Sequence, residues 1–442
     1  MSATSSEAGN SSKSLRREIG IFGATMMGLG AIVGTGIFVS IGNAASVAGS
    51  WVVIAIAVAA VVACLNGLSS AQLAAAHPVS GGTYEYGYRW LHPSLGFTAG
   101  WMFLCAKSAS AATAALGFAG YGLRLLGRDY PQLQVPIGLG AVVLVAIFLL
   151  AGIRWSSLFN SIVVSITLTA LALFVIAGVL TLLRSSPEQY VAMDATPSIN
   201  VTFGGFVEAC ALMFVAYTGY GRIATLGEEI RDPKRNIPIA IITTLAVSMA
   251  LYVSVAWVSI AVTSPELLAF ATKPQAAPLE VVAHQFTRPE ARYVVAVGAV
   301  TSMLGVLINL VLGLSRVALA MGRRGDLPKG FARLDQSGRT APTAVIGVSV
   351  LIAVLIAIGN VKTTWSFSAF TVLIYYAITN MAAIKMSDAE RRYPRVIAWL
   401  GLISCLFLAF WVEPLVWATG LGLIAIGLFW WRLFPVFDKS RF

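Results

Sequence analysis

The stretch GLGAIVGTGIFVSIG, residues 28–42, places five glycines in fifteen residues, inside a run that carries no charged side chain between Glu18 and Glu85. A run of that length belongs in hydrocarbon, where roughly 20 helical residues cross about 30 Å of bilayer. Glycines in such a helix have two readings. Small residues four apart, as Gly30 and Gly34 are, let neighbouring backbones touch. Alternatively, Gly34-Thr35-Gly36 interrupts the helix near its middle, and broken backbone at membrane depth survives only where protein or water satisfies the freed polar groups.

The whole chain supports the membrane reading. Of 442 residues, 58% are apolar and 11% charged, against roughly a quarter charged in soluble proteins, which excludes a soluble globule. Apolar runs predict twelve spans, at about 19–43, 51–76, 95–125, 134–152, 156–183, 203–229, 236–263, 291–321, 341–360, 363–386, 395–412 and 414–434. With both termini inside, 22 of the 30 Lys and Arg residues fall on the cytoplasmic side, Arg222 among them, seven fall outside, and Lys107 lies within a span. That asymmetry fits the positive-inside rule in a multi-pass cell-membrane protein. The net charge of +11 is therefore topological and calls for no nucleic acid, although basic patches suit anionic lipid head groups.

Smaller features set further bounds. Cys64, Cys105, Cys210 and Cys405 sit in apolar spans without ligand spacing, so they read as packing residues, and neither metal nor cofactor is expected. Residues 1–17 are Ser-rich and polar, and are expected to be disordered in the cytoplasm; the tail 435–442 is expected to be cytoplasmic as well. No cleavable signal peptide is expected, because the first span directs insertion. Tyr84, Tyr86 and Tyr88 alternate and read as an interfacial aromatic belt.

A second glycine cluster decides between the two readings of the first. Span 6 contains Tyr217-Thr218-Gly219-Tyr220-Gly221, again an interruption of an apolar helix. Spans 1 and 6 open two successive five-span units, 18–183 and 203–386, and an odd number of spans inverts the second unit. Broken helices at matching positions of inverted halves point to a transporter site at the midplane. There, half-helix amino termini attract an anion and unwound carbonyls accept from an ammonium, so the site suits a zwitterion.

Four stretches in order resemble the amino acid-polyamine-organocation (APC) transporter superfamily: residues 28–42, HPVSGGTYEYGYRWLHPSLGFTAGW at 77–101, FVAYTGYGRIATLGEEIRDPKRNIPIAI at 214–241 and SRVALAMGRRGDLPKGFARLDQSGRTAP at 315–342. The third is similar to the permeases nearest the cationic amino acid transporter branch. The resemblance implies an all-α fold of the LeuT type, with two inverted five-helix repeats, peripheral helices over 395–434, and alternating access. It implies that the amides of Gly34, Thr35 and Gly36 hold a substrate carboxylate. The carbonyls of Ile32, Val215 and Thr218 would receive the α-amino group, and Ala216 and Leu310 would line the pocket. Thr35 has a competing role as a hydroxyl bonding back to its own helix, so its amide is the group assigned. Glu228, Glu229, Arg231 and Asp232 at the inner end of span 6 read as a solvated loop, where the resemblance implies a cytoplasmic latch.

Departures from the family pattern are informative. Val215 stands where many relatives carry an aromatic gate, with Phe214 and Tyr217 beside it. Thr167 replaces a lysine that in several relatives mimics a sodium ion between spans 1, 5 and 8. Arg324 takes the place of an acidic residue, which puts charge pairing in that loop in doubt. Lys107 lies deep in span 3, where a lysine costs at least ~2.5 kcal/mol on insertion scales, and it reads as functional. Glu208, early in span 6, is a candidate partner for it.

No intramembrane nucleophile, HExxH or GxSxG constellation favours an enzyme. The expected activity is sodium-independent amino acid transport, by proton-coupled symport or by exchange, in a monomer or dimer. The alternatives are an amine or polyamine exchanger, a channel, and a receptor that never cycles.

Overall fold

A computed structural model describes residues 19–79, 81–127, 130–152, 157–184, 199–225, 229–272, 276–335 and 340–433. The amino-terminal segment, the tail and Glu228 lie outside these residues. Within them, regular structure is helical apart from one bridge between Ile19 and Ile230. Ten stretches are long and apolar enough to cross a membrane, and two shorter apolar helices, Pro342–Ile358 and Arg395–Ala409, join them. This is an all-α, multi-pass membrane protein.

Span 1 is built in three pieces, Ile21–Ile32, Thr35–Phe38 and Ser40–Ala48. Gly49, in the left-handed region at φ 53°, turns the chain into span 2, Val52–Ala76. Spans 3 to 5 are Pro93–Leu125, Gln134–Leu150 and Ser157–Arg184. Span 6 runs Phe203–Tyr217, a tight 3-10 turn over Thr218–Tyr220, and Gly221–Thr225. Pro233–Val262, Ala291–Arg324, Pro342–Ile358 and Val361–Lys385 form spans 7 to 10. Arg395–Ala409 and Pro414–Leu433 are spans 11 and 12.

Hydropathy sorts these helices into layers. Spans 3 and 10 have mean hydropathies of 1.3 and 1.5 and are 83% and 78% buried in protein. Spans 4 and 5, at 2.5 and 2.6, are only 28% and 33% buried and present their apolar surface outward. In a bilayer the burial of apolar residues against protein gains little over lipid, so the helices that carry polar side chains are the ones drawn inward. Asparagines tie that interior together. Asn380 of span 10 donates to Asn66 of span 2 at 2.6 Å. Asn309 of span 8 donates to Asn160 of span 5 at 3.1 Å, and Asn160 donates to the Met26 carbonyl of span 1 at 2.9 Å.

Between spans 2 and 3 the tyrosine-rich stretch forms a short helix, Thr83–Trp90. The expected aromatic belt is corrected here: Tyr84 and Tyr86 are 0% and 1% exposed. Tyr84 and Tyr88 each donate to the Asp326 carboxylate at 2.7 Å. Arg324 donates to Glu85 at 2.6 Å and stacks over Tyr88 at 4.1 Å. Charge pairing in the loop after span 8 therefore exists despite the departure at Arg324, because Asp326 and Glu85 supply the acids. Burial pushes both carboxyls above the ordinary range, outweighing the hydroxyls and the guanidinium beside them.

Candidate functional site

The two interruptions meet at the centre of the molecule. A Cβ on Gly219 would lie 2.4 Å from the Ala31 backbone carbonyl, and one on Gly36 would lie 2.7 Å from the Ala216 Cβ and 2.8 Å from the Tyr252 hydroxyl. These glycines permit the crossing of spans 1 and 6, so the packing reading and the broken-helix reading both hold. A side chain at Gly36 would point into span 6 and span 7. Gly36→Ala is therefore expected to lower thermal stability by about 1–3 kcal/mol, the cost of overpacking, and to lower uptake with it. A detergent-solubilised melting curve unchanged from wild type would contradict that contact.

At the break itself, helix ends at Ile32, and Gly34 caps the next turn. No backbone carbonyl among the described residues accepts from the amides of Gly34, Thr35 or Gly36. The Thr35 hydroxyl is buried without a partner and does not bond back to its helix. Three N–H groups and one hydroxyl are thus unpaired at a helix amino terminus, which is an anion-binding arrangement.

The carbonyls assigned to the α-amino group are differently placed. Ile32 accepts from the Tyr252 hydroxyl at 2.7 Å, and Thr218 accepts from the Tyr376 hydroxyl at 3.2 Å. Ile32 keeps one lone pair, whereas the Thr218 carbonyl also accepts from the Gly221 backbone N–H and is filled, so its assignment to the ammonium is corrected. Val215 accepts both the backbone N–H and the hydroxyl of Thr218, the latter at 2.7 Å, so its acceptor capacity is filled and its assignment to the ammonium is corrected. Ala216 packs on Gly36, and Tyr217 is buried against Tyr252 with ring centroids 5.0 Å apart. Phe214 packs edge-on against Tyr376 at 5.6 Å.

Lys107 is 8% exposed. Its ammonium donates to the Thr218 hydroxyl at 2.8 Å, which places a cation on the broken segment of span 6. Glu208 is not its partner. It stands ten residues before Thr218, about 15 Å along a helix, with Lys362 and Glu413 as its charged neighbours. Thr167 bonds to the Val163 carbonyl of its own helix at 2.9 Å. Contact among spans 1, 5 and 8 runs instead through Asn160, Asn309 and the Ser302 hydroxyl, which donates to the Val33 carbonyl at 2.5 Å.

A narrow cavity of about 60 Å³ runs from Lys107 and Thr218 past Leu310, Asn309 and Tyr376 to Arg222, Thr225 and Arg316. It leads toward the Lys- and Arg-rich loops. In the other direction the core is closed by Tyr121, whose hydroxyl donates to the Phe38 carbonyl at 2.8 Å and accepts from the Leu279 amide at 3.1 Å. Arg222, counted from sequence among the cytoplasmic charges, lines this cavity. Its position four residues past Thr218 in the same span was the available signal. Tyr252 and Tyr376 gave none, since a tyrosine in a span is ordinarily a packing residue.

Comparison with known proteins agrees with this architecture. The family model described as amino acid permease matches residues 23–441. An uncharacterized transporter of Mycobacterium tuberculosis is 37% identical over 414 residues, covering 94% of this chain and 90% of its own. The branched-chain amino acid permease BcaP of Bacillus subtilis is 27% identical over 446 residues, covering 95% and 91%. The methylthioribose transporter of the same organism is 26% identical over 448 residues, covering 95% and 94%. With twelve apolar helices among the described residues, two of them broken where they cross, and a family match over almost its whole length, the chain belongs to the amino acid permease family of the APC superfamily.

Proposed function

We propose that this protein is a secondary active transporter of amino acids that works by alternating access, without sodium, as a proton-coupled symporter or an exchanger. The observation that carries the reading is the pairing of unlike groups where spans 1 and 6 cross: the amides of Gly34 to Gly36 have no backbone acceptor among the described residues, and the Ile32 carbonyl beside them keeps a spare lone pair. Backbone groups of both kinds bind the part that every amino acid shares. Relatives named for branched-chain amino acids and for a sugar thioether fit a scaffold whose selectivity resides in side chains. We read the chain as two inverted five-span units, 18–183 and 203–386, with both termini cytoplasmic.

The test is uptake into proteoliposomes, with separately labelled amino acids and with proton and sodium gradients imposed independently. Saturable uptake that is stimulated by internal substrate or by a proton gradient, and is indifferent to sodium, is the expected result. Steady conductance without saturation would replace the carrier with a channel. Competition by cadaverine or agmatine stronger than by the parent amino acids would replace it with an amine exchanger, for which the anion site at Gly34 to Gly36 has no use.

A further inference from the structure

The charges on the cavity wall have one sign. Lys107, Arg222 and Arg316 line it, and no acidic residue does among the described residues. Arg316 has a counter-ion, Glu229 at 3.3 Å, in a pair with both side chains partly exposed. Arg222 makes no ion pair among the described residues, and its Nε is buried without a hydrogen-bond partner. Glu229, the acid among the described residues whose charge acts on Arg222, is engaged by Arg316. The hydrogen bond of Lys107 goes to a neutral hydroxyl. Arg222 of span 6 and Lys107 of span 3, the latter bonded to Thr218 four residues before Arg222, are therefore without counter-charge among the described residues, in a largely apolar cleft walled by Phe103, Leu310 and Val317.

Unpaired buried charge is costly unless a partner arrives. The α-carboxylate of an amino acid is offset by its own ammonium, so a neutral substrate brings no net charge to this wall. A cationic substrate adds a third positive charge. A second carboxylate is the group that relieves it, and the planar fork of an arginine suits a carboxylate bidentately. We infer that the preferred substrate is an amino acid with an acidic side chain, whose distal carboxylate is received by Arg222. The inference rests on the transporter reading above and narrows it to a substrate class.

The experiment is initial-rate uptake of labelled L-glutamate, L-aspartate, L-glutamine, L-leucine and L-lysine into proteoliposomes at neutral pH. Glutamate or aspartate is expected to be half-saturating at a concentration at least about tenfold below that of glutamine, and lysine is expected to be transported least. Arg222→Gln should remove about 10- to 100-fold of the acidic preference, the range for losing one charged hydrogen-bonding partner. A melting temperature of the purified variant close to that of wild type shows that it folds. Ranking the same ligands by the rise they cause in the melting temperature of the wild-type protein in detergent gives a readout that needs no variant. Lysine or leucine transported as well as glutamate, or a preference unmoved by Arg222→Gln, would overturn the inference and leave the transporter reading standing. No amino acid of any class transported would overturn both.

Discussion

Uptake by a Lys107→Met variant is expected to fall on the order of 100-fold while the protein still folds. The ammonium is hydrogen-bonded to Thr218, in the turn where span 6 loses its helix, and a hydrogen bond to a charged group is worth about 1.5–3 kcal/mol, or roughly 10- to 150-fold in rate at 1.4 kcal/mol per decade. Methionine keeps the length and the apolar fit, so size-exclusion profile and melting temperature should remain near wild type. Because Lys107, Thr218 and the Val215 carbonyl form one chain, Thr218→Val should also impair uptake. The double variant should be no worse than Lys107→Met alone, as expected for residues acting as a unit. Lys107→Arg separates two roles: a fixed cation survives it, whereas a group that must release its proton does not, since arginine holds its charge throughout. A Lys107→Met variant with wild-type rate and pH profile would remove this residue from the mechanism.

Asp326→Ala is expected to cost about 2–5 kcal/mol of stability and several degrees in melting temperature. It would strand the hydroxyls of Tyr84 and Tyr88, and each buried donor left without an acceptor costs about 1–3 kcal/mol. The same clasp gives a pH signature. Burial raises the Asp326 pKa above its ordinary value, so the folded chain holds this proton more tightly than the unfolded chain does. The contribution is fully present below the unfolded value, near 4, and is lost as pH rises through the folded one. Asp326→Asn cannot titrate. Acidification from neutral toward that range should therefore shift the difference in melting temperature between wild type and Asp326→Asn in favour of wild type. A constant difference would show that the carboxyl does not titrate abnormally.

How much of this was legible in the sequence depended on the range of the interaction. Helix positions followed from apolar run length, a local property, and the breaks near Gly34 and at Thr218 to Tyr220 followed from glycine clusters within single spans. Contacts between distant segments did not. The Asp326 clasp joins residues 242 apart to Tyr84 and 238 apart to Tyr88, and alternating tyrosines looked like an interfacial belt because an acceptor that far away leaves no periodic trace. Glu208 seemed a fit partner for Lys107 because both are ionisable residues in spans, yet depth along the helix, not charge, decides which groups meet. Val215 failed as an ammonium acceptor for a local reason: the next turn carries a hydroxyl three residues on that reaches back to the same carbonyl. Asn160 and Asn309 belong to no motif and so carry no local signal, although an amide in hydrocarbon needs a partner.

Ile19 donates to the Glu229 carbonyl at 3.1 Å, and Arg231 donates to the Ile19 carbonyl at 2.9 Å. The strand-like bridge thus fastens the lead-in of the first broken helix to the run-out of the second. Moving one inner half-helix without the other breaks both bonds, each with a net worth of about 0.5–1.5 kcal/mol. Conformers in which only one half has swung are then depleted by roughly 5- to 150-fold relative to those in which both have moved. The bridge thereby ties the two half-helices into one unit, and asymmetric arrangements of them contribute little to the ensemble.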